Sequence, residues 1–270
     1  MKAALDALLT SHDAAARRAT DPVSFVHRYE DPHDREVAGL VAALVAFGQV
    51  QVILRNVDRA LAPLHPAPAR TLAGMRRPTL LRGLADWRHR TWRGEHLATV
   101  LWNARALRRR EGSLGAAFGA RLEEAGELKE GLSRFADALR GPAPDRGLAH
   151  LVPDPRRGSA CKRLLLYLRW MCRPADGVDV GIWPVPASAL LIPVDTHVQR
   201  IAQNLRLTDR ADASWRTAEE ITASLRKLDA SDPVKYDFAI CHLGVSRQCP
   251  SRRDEQKCGA CVLRSVCRRW

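Results

Sequence analysis

Long apolar runs are missing from this chain. None approaches the roughly 18–20 residues that a membrane-spanning helix needs, so no contact with a membrane interior is expected. The opening MKAALDALLTSHDAAARR carries an acid early and has no apolar stretch leading to a cleavage site. We expect the first helix of the fold there and no secretory leader. β-branched alternation is rare, which argues against a sheet-built fold. No internal repeat or low-complexity tail is visible, which sets aside repeat arrays and disordered arms. Acids are short as well: 30 Asp and Glu face 43 Lys and Arg, a net charge of +13. A polyanion is the natural partner of such a surface, because each phosphate neutralised releases condensed counterions. An arginine-rich proteome from a GC-rich genome would give the same excess.

What is present is helical periodicity. Within 34–61, Val37, Leu40, Val41, Leu44 and Val45 recur at helical spacing, with Asp34 as the expected N-cap and Gly48 as the expected break. Residues 62–95, rich in Pro, Gly and Arg, predict short helices and turns. Helices are expected again over 96–111 and 127–140. Pro153 and Pro155 then stop one element and Ser159 starts another, with Leu164, Leu165, Leu168 and Cys172 as its inward stripe. A helix at 214–228 buries Trp215, Ala218, Ile221 and Leu225. A last one begins at Asp232 and Pro233 and ends at Gly244. The fold class is all-α.

Of seven cysteines, Cys161, Cys172 and Cys241 are dispersed in apolar patterns, while Cys249, Cys258, Cys261 and Cys267 crowd one short segment. This is not a secreted disulfide framework. It points to a cytoplasmic protein with one thiolate-ligated metal centre. Structural four-Cys zinc sites come as two C-x-x-C knuckles, and only Cys258 and Cys261 form one. The spacing favours an iron–sulfur cluster, [4Fe-4S], with zinc as the alternative. Arg252, Arg253, Lys257, Arg264, Arg268 and Arg269 in the same segment are candidate phosphate contacts or a solvated basic surface.

Two further residues carry chemistry. In LLIPVDTHVQRIAQNL, Asp195 precedes a helical stripe and reads as an N-cap, a role compatible with a catalytic carboxylate. Lys162 sits in the first turn of the Ser159 helix, where the helix dipole, Arg163 and burial would lower an amine pKa and yield a nucleophile. The plainer reading is a surface lysine gripping phosphate.

Together, PVDTHVQRI, a lysine on an upstream helix–turn–helix and the cysteine segment resemble the helix–hairpin–helix DNA glycosylase superfamily, endonuclease III among it. GSACKRLLLYLRWMCR, IPVDTHV and DPVKYDFAICHLG resemble a bacterial branch, DUF2400, over roughly 30–267. The resemblance implies two helical subdomains. One is six-helix-barrel-like over 30–160; the other combines 1–29 with 161–270 and ends in an iron–sulfur loop at 245–270. It implies a glycosylase that flips a damaged base, with Lys162 attacking the sugar C1′ as an AP lyase and Asp195 stabilising charge and moving protons. The alternative is a non-catalytic DNA- or RNA-binding protein of the same fold. Damaged duplex DNA is the implied partner, a monomer the expected state, and the nucleoid the expected location.

Two departures from the superfamily pattern bear on substrate. VPDPRRGSAC replaces a glycine-rich hairpin, leaving Arg157, Gly158 and Ser159, with Arg163, to grip phosphate. Lys162 and Asp195 lie 33 positions apart (195 − 162), as in archaeal 8-oxoguanine glycosylases, and the insertion between them offers Trp183 to a base pocket. Gln49 and Gln51 follow the broken helix where the superfamily reads or replaces a flipped base. His197, Lys235, Tyr236 and Asp237 are further candidates near the site.

Overall fold

In the computed structural model, which describes residues 1–11 and 13–270, short polar side chains start many of the helices. The helices are α1 (Lys2–Ser11), α2 (Ala14–Ala19), α3 (Pro32–Val45), α4 (Val50–Leu61), α5 (Pro68–Gly74), α6 (Arg77–Gly83), α7 (Gly94–Glu111) and α8 (Leu114–Ala125). They continue as α9 (Leu128–Arg140), α10 (Arg146–Leu151), α11 (Lys162–Cys172), α12 (Thr196–Asn204), α13 (Trp215–Arg226), α14 (Asp237–Val245) and α15 (Glu255–Gly259). Asp13, Asp31, Ser113, Asp145, Asp195, Ser214 and Asp254 each accept a backbone N–H of the turn that follows, a contact worth about 1 kcal/mol apiece. Among the described residues, one antiparallel ladder interrupts the all-α design. Strand β1 (Arg88–His89) pairs with β2 (Trp92–Arg93), His89 opposite Trp92.

Helix α3 is the centre of the packing. It is buried from Val37 through Val45 and lies against α11, α4 and α5. Helices α7, α8 and α9 pack on one another, and α14 packs on α12 with α1 and α2 behind it. A continuous buried cluster runs from Leu5 to Leu263. Glu36 ties α3 to α8: its carboxylate accepts the N–H groups of Leu114 (3.1 Å) and Gly115 (2.8 Å) and the indole N–H of Trp183 (2.8 Å). It thereby satisfies the orphan amides of a buried helix start.

Several boundaries move from their expected places. The N-cap of α3 is Asp31; Asp34 is buried and accepts from the Ala69 N–H at 2.7 Å. The helix does end before Gly48, and α4 resumes at Val50. Helix α8 falls in a gap between expected helices, although its signals, Ser113 before it and Gly126 after it, stand in the sequence. Ser159 does not begin α11. Its hydroxyl accepts the Cys161 N–H at 3.2 Å, and the helix starts at Lys162 behind a left-handed Cys161. The last long helix starts at Asp237 rather than Asp232, whose carboxylate instead pairs with Arg173 at 2.8 Å.

Candidate functional site

The starts of α11 and α12 meet. Asp195 divides its two oxygens between two tasks. Oδ1 accepts the N–H groups of His197 and Val198, both at 2.9 Å, and so caps α12. Oδ2 lies 2.9 Å from Lys162 Nζ and 4.0 Å from the Cys241 thiol. The cap fixes the carboxylate's rotamer, which aims the second oxygen at the amine. The Lys162 side chain keeps 30% of its surface exposed and Asp195 19%, so the pair opens to solvent from one side.

The expected depression of the Lys162 amine is not what the surroundings impose. Burial does push the ammonium toward losing its proton, but the Asp195 charge, with Asp237 beyond it, outweighs burial and raises the amine above its usual value. Burial likewise works against the Asp195 carboxylate, and the Lys162 charge with the α12 amides holds it below the usual range. At rest the pair is therefore ammonium and carboxylate, and a proton must cross the 2.9 Å gap before the nitrogen can act as a nucleophile.

A second layer lies behind the pair. On α14, Asp237 and Cys241 are one turn apart. On α11, Arg169 is two turns beyond Lys162, and its guanidinium binds Asp237 and, at 3.2 Å, Asp179. Arg173 reaches Asp179 at 2.9 Å and Asp232 at 2.8 Å. Arg169, Asp179 and Asp237 are fully buried; Nε and Nη1 of Arg169 meet the two carboxylates, while its Nη2 is buried without a hydrogen-bond partner among the described residues. Helix α14 approaches α12 closely because Gly244 has no side chain: a Cβ there would lie 2.7 Å from Cβ of His197.

The hairpin leading into α11 presents Arg157, Gly158 and Ser159 to solvent. Gly158 adopts φ +80°, and nothing lies within 4 Å of where its Cβ would be, so backbone and ligand could come close there. The hairpin is anchored from beneath. Asp154 accepts from Arg156, and Trp215 N–H donates to the Gly158 carbonyl at 3.1 Å. Arg163 does not join this surface. It is buried, stacks 4.4 Å over Trp92 and donates to the carbonyls of Leu44 (3.1 Å) and His150. Burial pushes it down to about 10. Its work is to fasten the ends of α3 and α10 to the start of α11.

Gln49 and Gln51 are both exposed, and Gln49 makes no capping bond. Beside them Phe47 stands 43% exposed, with the Arg90 guanidinium 4.5 Å above its ring and the Trp92 and His150 rings about 6 Å away. Sequence reading missed Phe47. An aromatic next to a helix-breaking glycine was the available signal. Trp183 belongs to the core and not to a pocket. It is 4% exposed, bonded to Glu36 and enclosed by Phe118, Phe135 and Tyr167. Lys235 and Tyr236 also turn away from the pair: the lysine binds Asp229 at 2.7 Å, and the phenol donates to Asp6 at 2.6 Å. Cys241, read only as a core thiol, is the residue that reaches Asp195.

The four cysteines of the last segment are partly exposed and unbridged. Among the described residues, no group of three or more His, Cys, Asp or Glu is arranged to hold a metal ion. The thiols nevertheless share one neighbourhood: burial raises Cys261, and charge on Cys249, Cys267 and Cys258 adds to the effect. Four local thiols are the donor type that an iron–sulfur cluster or a zinc ion takes. Arg200 on α12 holds the segment through the carbonyls of Cys249 (2.8 Å) and Pro250 (2.6 Å). Cys249 N–H donates to Leu243 on α14 at 2.9 Å. Arg253 and Arg264 pack on the Trp270 ring, Arg268 lies 3.6 Å from Asp209 and Arg269 donates to Ser251, while Arg252 and Lys257 stay exposed.

Among the described residues no helix is long and apolar enough to cross a membrane. No curated protein matches this chain. The family model for a protein of unknown function, DUF2400, matches residues 21–246 and ends before Cys249; the match covers most of the chain, which therefore belongs to the DUF2400 family.

Proposed function

We propose that this chain is a DNA glycosylase of base-excision repair, of the helix–hairpin–helix type, which attacks a flipped deoxyribose through Lys162 and cleaves the strand as an AP lyase. One observation carries the reading: Lys162 Nζ and Asp195 Oδ2 lie 2.9 Å apart at two converging helix starts, partly open to solvent beside an exposed hairpin. The substrate must be extruded, since a sugar inside the stack cannot be approached along the line of its glycosidic bond.

In this scheme Asp195 takes the Lys162 proton. The amine nitrogen forms a bond to C1′ as the C1′–base bond breaks, and the departing base takes the electron pair and the proton back from Asp195. Ring opening leaves an iminium, from which elimination cleaves the 3′ side. Arg157, Gly158 and Ser159 would hold a backbone phosphate. Phe47, with Gln49 and Gln51, would occupy the space of the extruded base. Cys249, Cys258, Cys261 and Cys267 would hold a [4Fe-4S] cluster, which when bound supplies a rigid cross-link for the segment.

Borohydride trapping against a panel of lesion duplexes tests the reading. A covalent adduct that Lys162→Gln abolishes is expected. No adduct with any lesion, or trapping undiminished by that variant, overturns it. The charged state of the Lys162–Asp195 pair favours a second reading, a non-catalytic nucleic-acid-binding protein that uses the lysine to hold phosphate. That reading requires salt-dependent binding with no base release, and full function in Asp195→Asn.

A further inference from the structure

Helices α11 and α14 face each other with two rungs of charge between them. The outer rung is Lys162, Asp195 Oδ2 and the Cys241 thiol, with 2.9 Å and 4.0 Å between successive atoms. The inner rung is Arg169 and Asp237. The register is helical: Lys162 and Arg169 are seven residues apart on α11, and Asp237 and Cys241 are four apart on α14, so each pair shares a face. Asp195 reaches the outer rung from α12, beside His197, and Asp179 reaches the inner one from the insertion. Asp21 acts on Cys241 and Arg169 from the segment before α3 and lies 3.1 Å from His242. Binding phosphate requires none of this buried machinery.

We propose that Asp237 and Cys241 are positioning residues of this site: the thiol holds the carboxylate oxygen that faces Lys162, and the Arg169-bound carboxylate behind it retains the ammonium proton until substrate enters. This rests on the proposed use of Lys162 as the nucleophile. The two residues act with opposite sign. Asp237 adds negative charge and holds the proton on the amine. The thiol donates to Oδ2 and weakens its hold on the same proton. Burial, with Asp195 adding to it, raises the Asp237 carboxyl to about 6 against the pull of Arg169, so its own charge is poised. A sugar seated over the pair expels water and disfavours its charges, and loss of the Asp237 charge removes what holds the proton; either releases the amine proton to Asp195.

The test is pH-resolved reductive methylation of the full chain with formaldehyde and cyanoborohydride, read at Lys162 by peptide mass spectrometry, with exposed Lys257 as the internal reference. In Asp237→Asn the Lys162 midpoint is expected to fall by about one pH unit. In Cys241→Val it rises by about half a unit, and Cys241→Ser, which keeps a donor, restores it. Unmoved midpoints in folded variants, or both moving in the same direction, overturn the proposal. Should Asp237→Asn fail to fold, the Cys241 pair decides alone. Midpoints that move as expected in a chain that traps no lesion refute the glycosylase reading and keep the proton layer; trapping with fixed midpoints does the reverse.

Discussion

The start of α11 and the cysteine segment are both clusters of reactive side chains, and they are built in opposite ways. At α11 the chain itself supplies the charged partners. Asp195 is capped and aimed, Arg169 is enclosed by two carboxylates, and Arg163 is bolted between α3 and α10. In the cysteine segment the backbone is held by Arg200, Leu243 and the Arg–Trp270 stack, and among the described residues no group of three or more ligands is arranged for a metal ion. A preorganised site draws its order from folding. In the function proposed above, the four thiols would take their order from a bound metal centre.

That contrast can be broken at its strongest point first. Lys162→Gln should lower borohydride trapping by about 1,000-fold or more, with a melting temperature near that of the parent chain. Arg169→Met leaves Asp179 and Asp237 buried without their common partner and should destabilise the chain by about 3–5 kcal/mol in urea unfolding. A loss under 1 kcal/mol would mean that the inner rung is not a closed network. Asp195→Asn keeps an oxygen for the cap but loses the charge at Oδ2. Single-turnover base release should fall about 100-fold while stability changes little.

Acid sharpens the comparison further. Burial works against the Asp154 carboxylate, but Arg156 overrides it and holds the group at about 2, below its ordinary 3.8. The folded value is the lower one, so this stabilisation is whole above about pH 4 and is lost as pH falls through 2. Asp154→Asn should therefore remove about 2 kcal/mol at pH 7 and almost nothing at pH 2, measured by unfolding at both. The smallest effect is expected in the other region. Cys258→Ser should speed proteolytic nicking between 247 and 270 about tenfold and leave the unfolding of the remainder unchanged.

The sequence disclosed the all-α class, the stripe of α13 and Asp195 as the cap of α12, because each is a local pattern of period or cap. It did not disclose the fates of Lys162 and Arg163. Those adjacent cations differ by about a hundred degrees around α11, which sends one to Asp195 and the other under Trp92. Trp183 misled for a similar reason. A tryptophan in an insertion looks available until Glu36, 147 positions away, claims its N–H. The ion-paired state of the amine was equally hidden, since it depends on Asp195 and Asp237, which arrive from two other helices.

Helix α14 gives the contrast a mechanical meaning. Its first two turns carry Asp237 and Cys241, and its last turn carries Leu243, whose carbonyl holds Cys249, and Gly244, which rides on His197. At 1.5 Å per residue this nine-residue rod is about 13 Å long. Its last turn holds the cysteine segment and packs on His197, and its first turns stand beside the Lys162–Asp195 pair. The cysteine segment and the outer rung are therefore joined by one helix, through Cys249 at Leu243 and through Cys241 at Asp195.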